Sequence, residues 1–467
     1  MRVFLAAPSS ETVYARAAIR GATSGNPPLG LACLAGALQQ AGHQVRVMDG
    51  QLEPDPLARL KRRLEAFRPD WLGISFTTPQ WPAAVALARA ARERLPGIRI
   101  VIGGHHASSL PEESLRRGDF DAAVVGEGEE TLIALLAHGG AAVPGAWVRD
   151  RDGRIHDGGP RPYISDLDRL PLPALEALPL RRYNCTGVLS RSRLAVWLET
   201  SRGCPAGCVY CSKAVFGRRF RFKTPARVVE EMELAAALGA GEIHIADDNF
   251  TASPRRAEQI CEMILQQGLT IPWATVTGIR VDRATPTLLR KMRRAGCYRI
   301  YIGIESGSQY VLDQVDKGIS IEQVRHAVAH ARAADLEVVG FFMIALPGED
   351  EDAARQTLRL SRELDLDLAK MAITIPLPGT PLYRRLQDEG ALKQADWTAY
   401  NLYAPARTIY DHPNMDWDTI ERLYREFYVG FFARPDFLVR RLARAARGGT
   451  LFSELGALWT TARSART

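Results

Sequence analysis

The sequence predicts an α/β chain: a doubly wound, Rossmann-like parallel sheet, then a partial (β/α)6 barrel, then a helical C-terminal region. Three observations carry this. Short apolar runs alternate with helical stretches from residue 1 to about 140. The same rhythm returns, with six strand-like runs, from about 191 to 385. Beyond 386 the pattern is mainly helical and rich in aromatics: Trp397, Tyr400, Tyr424, Phe427, Tyr428, Phe431 and Phe432.

In the first part the apolar runs 3–7, 44–48, 71–76, 98–102 and 122–125 predict parallel strands, with helices at 30–40 and 83–95 between them. Ligands of such sheets bind beyond the carboxyl ends of the strands. Those ends read Ser75-Phe76-Thr77-Thr78, Gly103-Gly104-His105-His106 and Gly126-Glu127-Gly128-Glu129-Glu130. Glycines there let a flat ligand approach the backbone. Residues 141–190 read as a connector strapping two domains. It holds a hairpin with an Asp152-Gly153 turn and an extended Leu170-Pro171-Leu172-Pro173 stretch.

In the second part, strands are predicted at 196–200, 242–246, 273–278, 298–304, 338–345 and 370–375. Helices are predicted at 224–238, 257–267, 286–295, 321–334 and 352–364, the first with Thr224 as N-cap and Pro225 at its first position. Barrel chemistry sits at the C-terminal ends of the strands. The residues there are Asp247-Asp248, Arg280, Glu305-Ser306-Gly307 and Leu346-Pro347-Gly348-Glu349. Adjacent carboxylates at a strand end either accept hydrogen bonds from a ligand or cap the next helix.

Composition excludes several classes. At 46% apolar and 24% charged the chain has a globular composition, and no run of 18 apolar residues predicts a membrane span. The apolar start is too short for a signal peptide and reads as the first strand, so a cytoplasmic location is expected. Seven cysteines, an odd number, argue against a disulfide framework. The net charge of +7 is not gathered in a long basic run, and the basic residues lack interleaved aromatics. Nucleic acid is therefore not expected as a partner, whereas a small-molecule substrate is.

Cys204-Pro-Ala-Gly-Cys208-Val-Tyr-Cys211 carries the chemistry. Three thiolates on one short loop are one short of a structural zinc quartet. They suit a [4Fe–4S] cluster, with one cysteine to each of three irons and the fourth iron left open. A three-cysteine zinc site completed by a distant His is the alternative. The CxxxCxxC spacing, with Tyr210 before the last cysteine, resembles the signature of the radical S-adenosylmethionine (SAM) superfamily. The N-terminal part resembles the cobalamin (B12)-binding domain found ahead of many such barrels. The resemblance lies in Asn26-Pro27-Pro28-Leu29-Gly30-Leu31 and in the Ser75-Phe76-Thr77, Gly103-Gly104-His105 and Gly126-Glu127-Gly128-Glu129 loops. One departure is clear: Asp49-Gly50-Gln51 has Gln where free-standing cobalamin domains carry a cobalt-ligating His. His105 and His106 are the nearby imidazoles.

The resemblance implies domains at 1–140 (cobalamin) and 191–385 (radical SAM barrel), with 386–467 a helical region. It implies a [4Fe–4S] cluster on Cys204, Cys208 and Cys211, with SAM chelating the open iron. SAM contacts are implied at Tyr210, Asp247, Asp248, Arg280, Glu305 and Ser306. Cobalamin contacts are implied at Ser75, Thr77, Gly103, Gly104, His105, Gly126 and Glu127. No catalytic side chain is singled out. The implied activity is methyl transfer from SAM, through methylcobalamin, to an unactivated carbon or phosphorus of a small molecule. An external electron donor such as flavodoxin or ferredoxin is implied as well. The alternatives are a cyclase or rearrangement enzyme of the same architecture, and a cobalamin or iron–sulfur sensor without turnover. Arg202 is expected near the cluster or between the domains, Cys297 mainly as packing, and the arginine-rich stretch from Glu421 onward as a solvated surface or a lid.

Overall fold

The computed structural model describes residues 1–10, 25–139, 142–185, 189–393, 396–435, 437–439 and 441. Its first sheet has seven strands: β1 (Arg2–Ala7), β2 (Gln44–Asp49), β3 (Trp71–Ser75), β4 (Arg99–Gly103), β5 (Ala122–Val124), β6 (Ala146–Arg149) and β7 (Ile155–Asp157). They lie in the order β2-β1-β3-β4-β5-β6-β7. The first five are parallel, while β6 and β7 add antiparallel. The hairpin expected in the connector thus extends this sheet, turning where Gly153 takes φ +81°. Val3, Phe4, Leu5, Leu72, Ile74, Ile100 and Ile102 are almost fully buried, as the continuous apolar runs of a sheet covered on both faces require.

The second sheet is wholly parallel and six-stranded: β8 (Ala195–Leu198), β11 (Glu242–Ile245), β12 (Trp273–Ile279), β13 (Cys297–Glu305), β14 (Glu337–Ile344) and β15 (Leu368–Ile373), in chain order. Helices Pro225–Ala237, Pro254–Gln266, Pro286–Arg294, Ile321–Ala333 and Glu351–Glu363 connect the strands. Thr224, Thr285, Ser320 and Asp350 cap four of them by accepting a backbone N–H, each stopping the preceding loop at a defined residue. Between β8 and β11 lies a two-stranded ribbon, β9 (Ser201–Arg202) and β10 (Arg221–Phe222), which pins both ends of the cysteine loop.

The helix Trp417–Phe432 lies along β15, the open edge of the partial barrel. Tyr428 satisfies that edge directly: its hydroxyl accepts from Met371 N at 3.1 Å and donates to Met371 O at 3.0 Å. Most of the arginine-rich stretch expected as a surface or lid lies outside the described residues. Among the described residues no helix is long and apolar enough to cross a membrane.

Candidate active site between the two sheets

The carboxyl ends of both sheets face one cavity of about 420 Å³. The first sheet contributes Ser75, Gly103, Gly104, His105, Gly126 and Glu127, and the second contributes Trp197, Glu199, Asp248 and Thr277. Gly104 needs its glycine: φ is +89°, and a Cβ would sit 2.7 Å from Phe76 O. Gly103 is different, since a Cβ there would meet no atom within 4 Å. Of the two histidines, His105 lines the cavity, and burial lowers its pKa. His106 does not line it: its Nδ1 is 3.3 Å from Thr78 Oγ1, and its ring packs against Phe76, Trp81 and Trp397. Thr77 also stays out, because its backbone N–H and hydroxyl are spent on Gln80 in a local capping turn. Gln51 folds back onto Asp49 and Asn26 O, and the Tyr183 hydroxyl donates to the same Asp49.

The cysteine loop projects beside this cavity. Cys204 and Cys208 are buried and Cys211 is partly so. Burial raises the Cys211 thiol, and the Lys213 ammonium beside it opposes that rise. The loop docks on residues 315–317: Val209 N donates to Val315 O at 3.1 Å, and a Cβ on Gly207 would strike the Asp316 carboxylate. At the end of β13 a register shift between Gly303 and Glu305, with φ +67° at Glu305, re-aims that carboxylate. Lys317 Nζ donates to Glu305 Oε1 at 2.6 Å and lies 3.5 Å from the Tyr210 hydroxyl. Burial alone would lower the Lys317 pKa; the charges of Glu305 and Cys208 outweigh it and raise it. Burial, with Glu305 and Cys208, pushes the Tyr210 phenol well up. Lys317 was missed in the sequence, where only a turn-like Asp316-Lys317-Gly318 marks it.

Three expected ligand contacts serve as scaffold. Asp247 accepts from Thr200 N and Oγ1, both at 2.5 Å, and from Ser201 Oγ at 2.6 Å, so its two oxygens hold the strand leading into the cysteine loop. Its neighbour Asp248 reaches the cavity and accepts from Gly203 N at 3.1 Å. Ser306 is fully buried, paired with Thr357 Oγ1 at 3.3 Å and accepting from Ser308 N. Arg280 donates to Asp282 and to the carbonyls of Lys317 and Gly318, which places it behind the Lys317 turn. Cys297 is packing, as expected: it is fully buried, and burial raises its thiol pKa. Cys33 also lines the cavity, and burial pushes its thiol up to about 12.

Where the sheets meet, buried ion pairs join them. Arg202 donates to Glu199 (2.6 Å), Glu127 (2.8 Å) and Glu129 (2.6 Å), all buried. Arg221 grips both oxygens of the same Glu127, and Ile164 N donates to it at 2.8 Å. Glu127 therefore binds the ribbon that carries the cysteine loop. Arg202 bridges the two halves.

Comparison with known proteins fits this geometry. Residues 16–136 match the B12 binding domain family and residues 198–361 the radical SAM superfamily. Over 448 residues the chain is 33% identical to an uncharacterised methyltransferase of Pyrococcus horikoshii, covering 94% of each. The chain belongs to the cobalamin-dependent radical SAM family. It is also 28% identical to an anaerobic magnesium-protoporphyrin IX monomethyl ester cyclase of Rubrivivax gelatinosus, covering 81% of this chain and 69% of that one. Its fold matches that of the cobalamin-dependent SAM radical enzyme OxsB, solved with aqua-cobalamin and SAM bound. The TM-score is 0.73 at 18% identity, over 92% of this chain and 66% of that one.

The family's cofactors are a [4Fe–4S] cluster, SAM and cobalamin, and the residues present fit them. Three thiols on one pinned loop are the donor set of a site-differentiated cluster. The Glu305–Lys317–Tyr210 group beside them offers both signs of charge and a hydroxyl to a small zwitterion such as SAM. The bare backbone at Gly103 leaves space where a flat macrocycle would lie. With Gln51 tied to Asp49 and Asn26, the motif that supplies cobalt's His elsewhere supplies none here.

Proposed function

We propose that this chain is a methyltransferase, moving the methyl group of SAM to an unactivated carbon or phosphorus of a small molecule. One observation carries the reading: the strand ends of both sheets line one cavity and the cysteine loop projects beside it, so cofactors held at the two sheets would face each other there. The near full-length methyltransferase relative supports it. When bound, cobalamin supplies a transferable methyl group, and the cluster with SAM supplies a carbon-centred radical. The chain's own work is placement. Its ribbon fixes the cysteine loop, Glu305 and Lys317 hold charge at the second sheet, and the Arg202 network keeps the two sheets at one distance. An external one-electron donor of the flavodoxin or ferredoxin kind and a reducing cytoplasm belong to this reading; all seven cysteines are free.

The test uses the anaerobically reconstituted chain, SAM with a deuterated methyl group, and a small-molecule extract. Expected are S-adenosylhomocysteine and a product carrying the deuterated methyl. The Cys208→Ala chain should form no 5′-deoxyadenosine. If the intact chain makes 5′-deoxyadenosine but no S-adenosylhomocysteine, methylation is wrong. The cyclisation or rearrangement reading, favoured by the cyclase relative, would take its place.

A further inference from the structure

The concave face of the second sheet carries polar groups that find no partner among the described residues, Trp197 at the cavity's edge among them. Strand alternation separates its two faces. Val196, Leu198, Ile243, Ile245, Ile300 and Ile302 pack into the main core under the helices. Tyr301, Val339 and Leu368 form a separate cluster with Phe341 on the opposite face. Lys370, two residues beyond Leu368, shares that face. Its Nζ lies 5.6 Å over the Tyr301 ring, whose centroid is 5.3 Å from that of Phe341. Lys370 pairs in register with Phe341, and Phe341 with Gly303, directly beside the Glu305–Lys317 pair.

This ammonium has no carboxylate partner among the described residues. The nearby cation, Arg299, takes Glu337 at 2.7 Å. Burial, with the charge of Arg299, lowers the Lys370 amine to about 8. On the other strands of the same face, Trp197 Nε1 and His244 Nδ1 are buried without a partner among the described residues. Buried polar groups are rarely left unmet, because each costs on the order of 1–3 kcal/mol and a charge costs more. Phe341, Trp197 and Lys370 nevertheless remain partly accessible, although Phe432 of the C-terminal helix packs on the same cluster, so the described residues leave this face incompletely covered.

We propose that Lys370 binds an oxyanion of the substrate (carboxylate, phosphate or phosphonate) while an apolar part of the same molecule lies on Tyr301 and Phe341. The acceptor atom would then sit toward Gly303, under the SAM pair. This deepens the methyl-transfer reading and rests on it only in taking this space as the substrate's.

Calorimetry on the anaerobically reconstituted full chain tests it, with phenylphosphonate and phenylacetate against neutral phenylacetamide. The anions should bind about tenfold or more tighter than the amide, as for one desolvated charge pair. Lys370→Met should erase that preference and Lys370→Arg should retain it. Equal binding of all three probes, binding of none, or a preference that survives in Lys370→Met overturns the proposal. Should Lys370→Met fail to fold, acylation of Lys370 in the intact chain by acetic anhydride, read by mass spectrometry, replaces it. Phenylphosphonate should slow that acylation severalfold, and unchanged labelling overturns the proposal. No turnover is read, so failure here leaves methyl transfer standing. A chain that binds the anions at Lys370 but makes no S-adenosylhomocysteine fails only as a methyltransferase.

Discussion

The two sheets end in opposite chemistry although they share one cavity. The first presents mostly backbone: Gly103, Gly104, Gly126 and Gly128, with Ser75 and His105 between them and with Glu127 and Glu129 spent on Arg202. The second presents charge: Asp248 in the cavity, and the Glu305–Lys317 pair beside the cysteine loop. A broad, flat cofactor is held by shape over a large bare area. A small zwitterion needs a few directed charges of both signs. The difference also explains the seam. Glycine loops offer little apolar surface to bury, and at them Arg202 and Arg221 grip Glu127 and Glu129.

The largest effect should come from breaking that seam. Arg202→Met leaves Glu129 and Glu199 buried without their cation, and leaves Glu127 to Arg221 alone. Removing one partner of such a network costs about 3–5 kcal/mol. Denaturant unfolding should show this, and adding Glu129→Gln to Arg202→Met should restore part of it. A loss below about 1 kcal/mol, typical of an exposed pair, would mean that shape rather than charge joins the sheets.

A finer probe separates backbone need from ligand space within the first sheet. Gly104→Ala forces a side chain into φ +89° and onto Phe76 O, so it should lose about 1–3 kcal/mol of stability and its corrinoid together. Gly103→Ala meets nothing within 4 Å and should change stability by less than about 0.5 kcal/mol while still weakening corrinoid uptake. Thermal unfolding and the corrinoid absorbance of reconstituted protein read both quantities. If Gly103→Ala loads corrinoid like the parent chain, the bare backbone at 103 is not where the macrocycle lies.

Much of this contrast was legible in the sequence, and the reason is local. Strand runs, helix caps and the cysteine spacing are written within a few consecutive residues, as are the glycine loops and the Glu305 strand end. The remainder depends on partners far apart in the chain. Asp247 reads like Asp248, yet it is consumed by Thr200 and Ser201, 46–47 residues earlier. Ser306 looks ligand-facing until Thr357, 51 residues on, claims its hydroxyl. Lys317 lies 12 residues past Glu305 and 107 past Tyr210, and no periodicity brings those three together.

A pH titration tests how the second sheet maintains its charge. Glu305 stays beside a cation, Lys317, whereas Glu349, in the loop after the neighbouring strand, has none among the described residues. Glu349 is fully buried, its Oε2 accepts from Leu346 N at 3.1 Å, and its Oε1 has no partner among the described residues. Burial, only partly offset by the backbone N–H groups of Leu346 and Ala345, pushes its carboxyl up to about 8. The folded chain therefore keeps a proton that the unfolded chain releases above its ordinary value of 4.5. Because the native state binds more protons across that window, stability falls as pH rises from about 4.5 to about 8, then levels off. Glu349→Gln preserves the shape and the acceptor but cannot ionise, so it should lack that slope. Its advantage over the parent chain should be smallest near pH 5 and grow to a plateau above about pH 8, as read from denaturant midpoints across the range. Parallel profiles for the two chains would mean that Glu349 is ionised in the fold. The rule that this end of the sheet holds charge only beside a cation would then fail at its most buried acid.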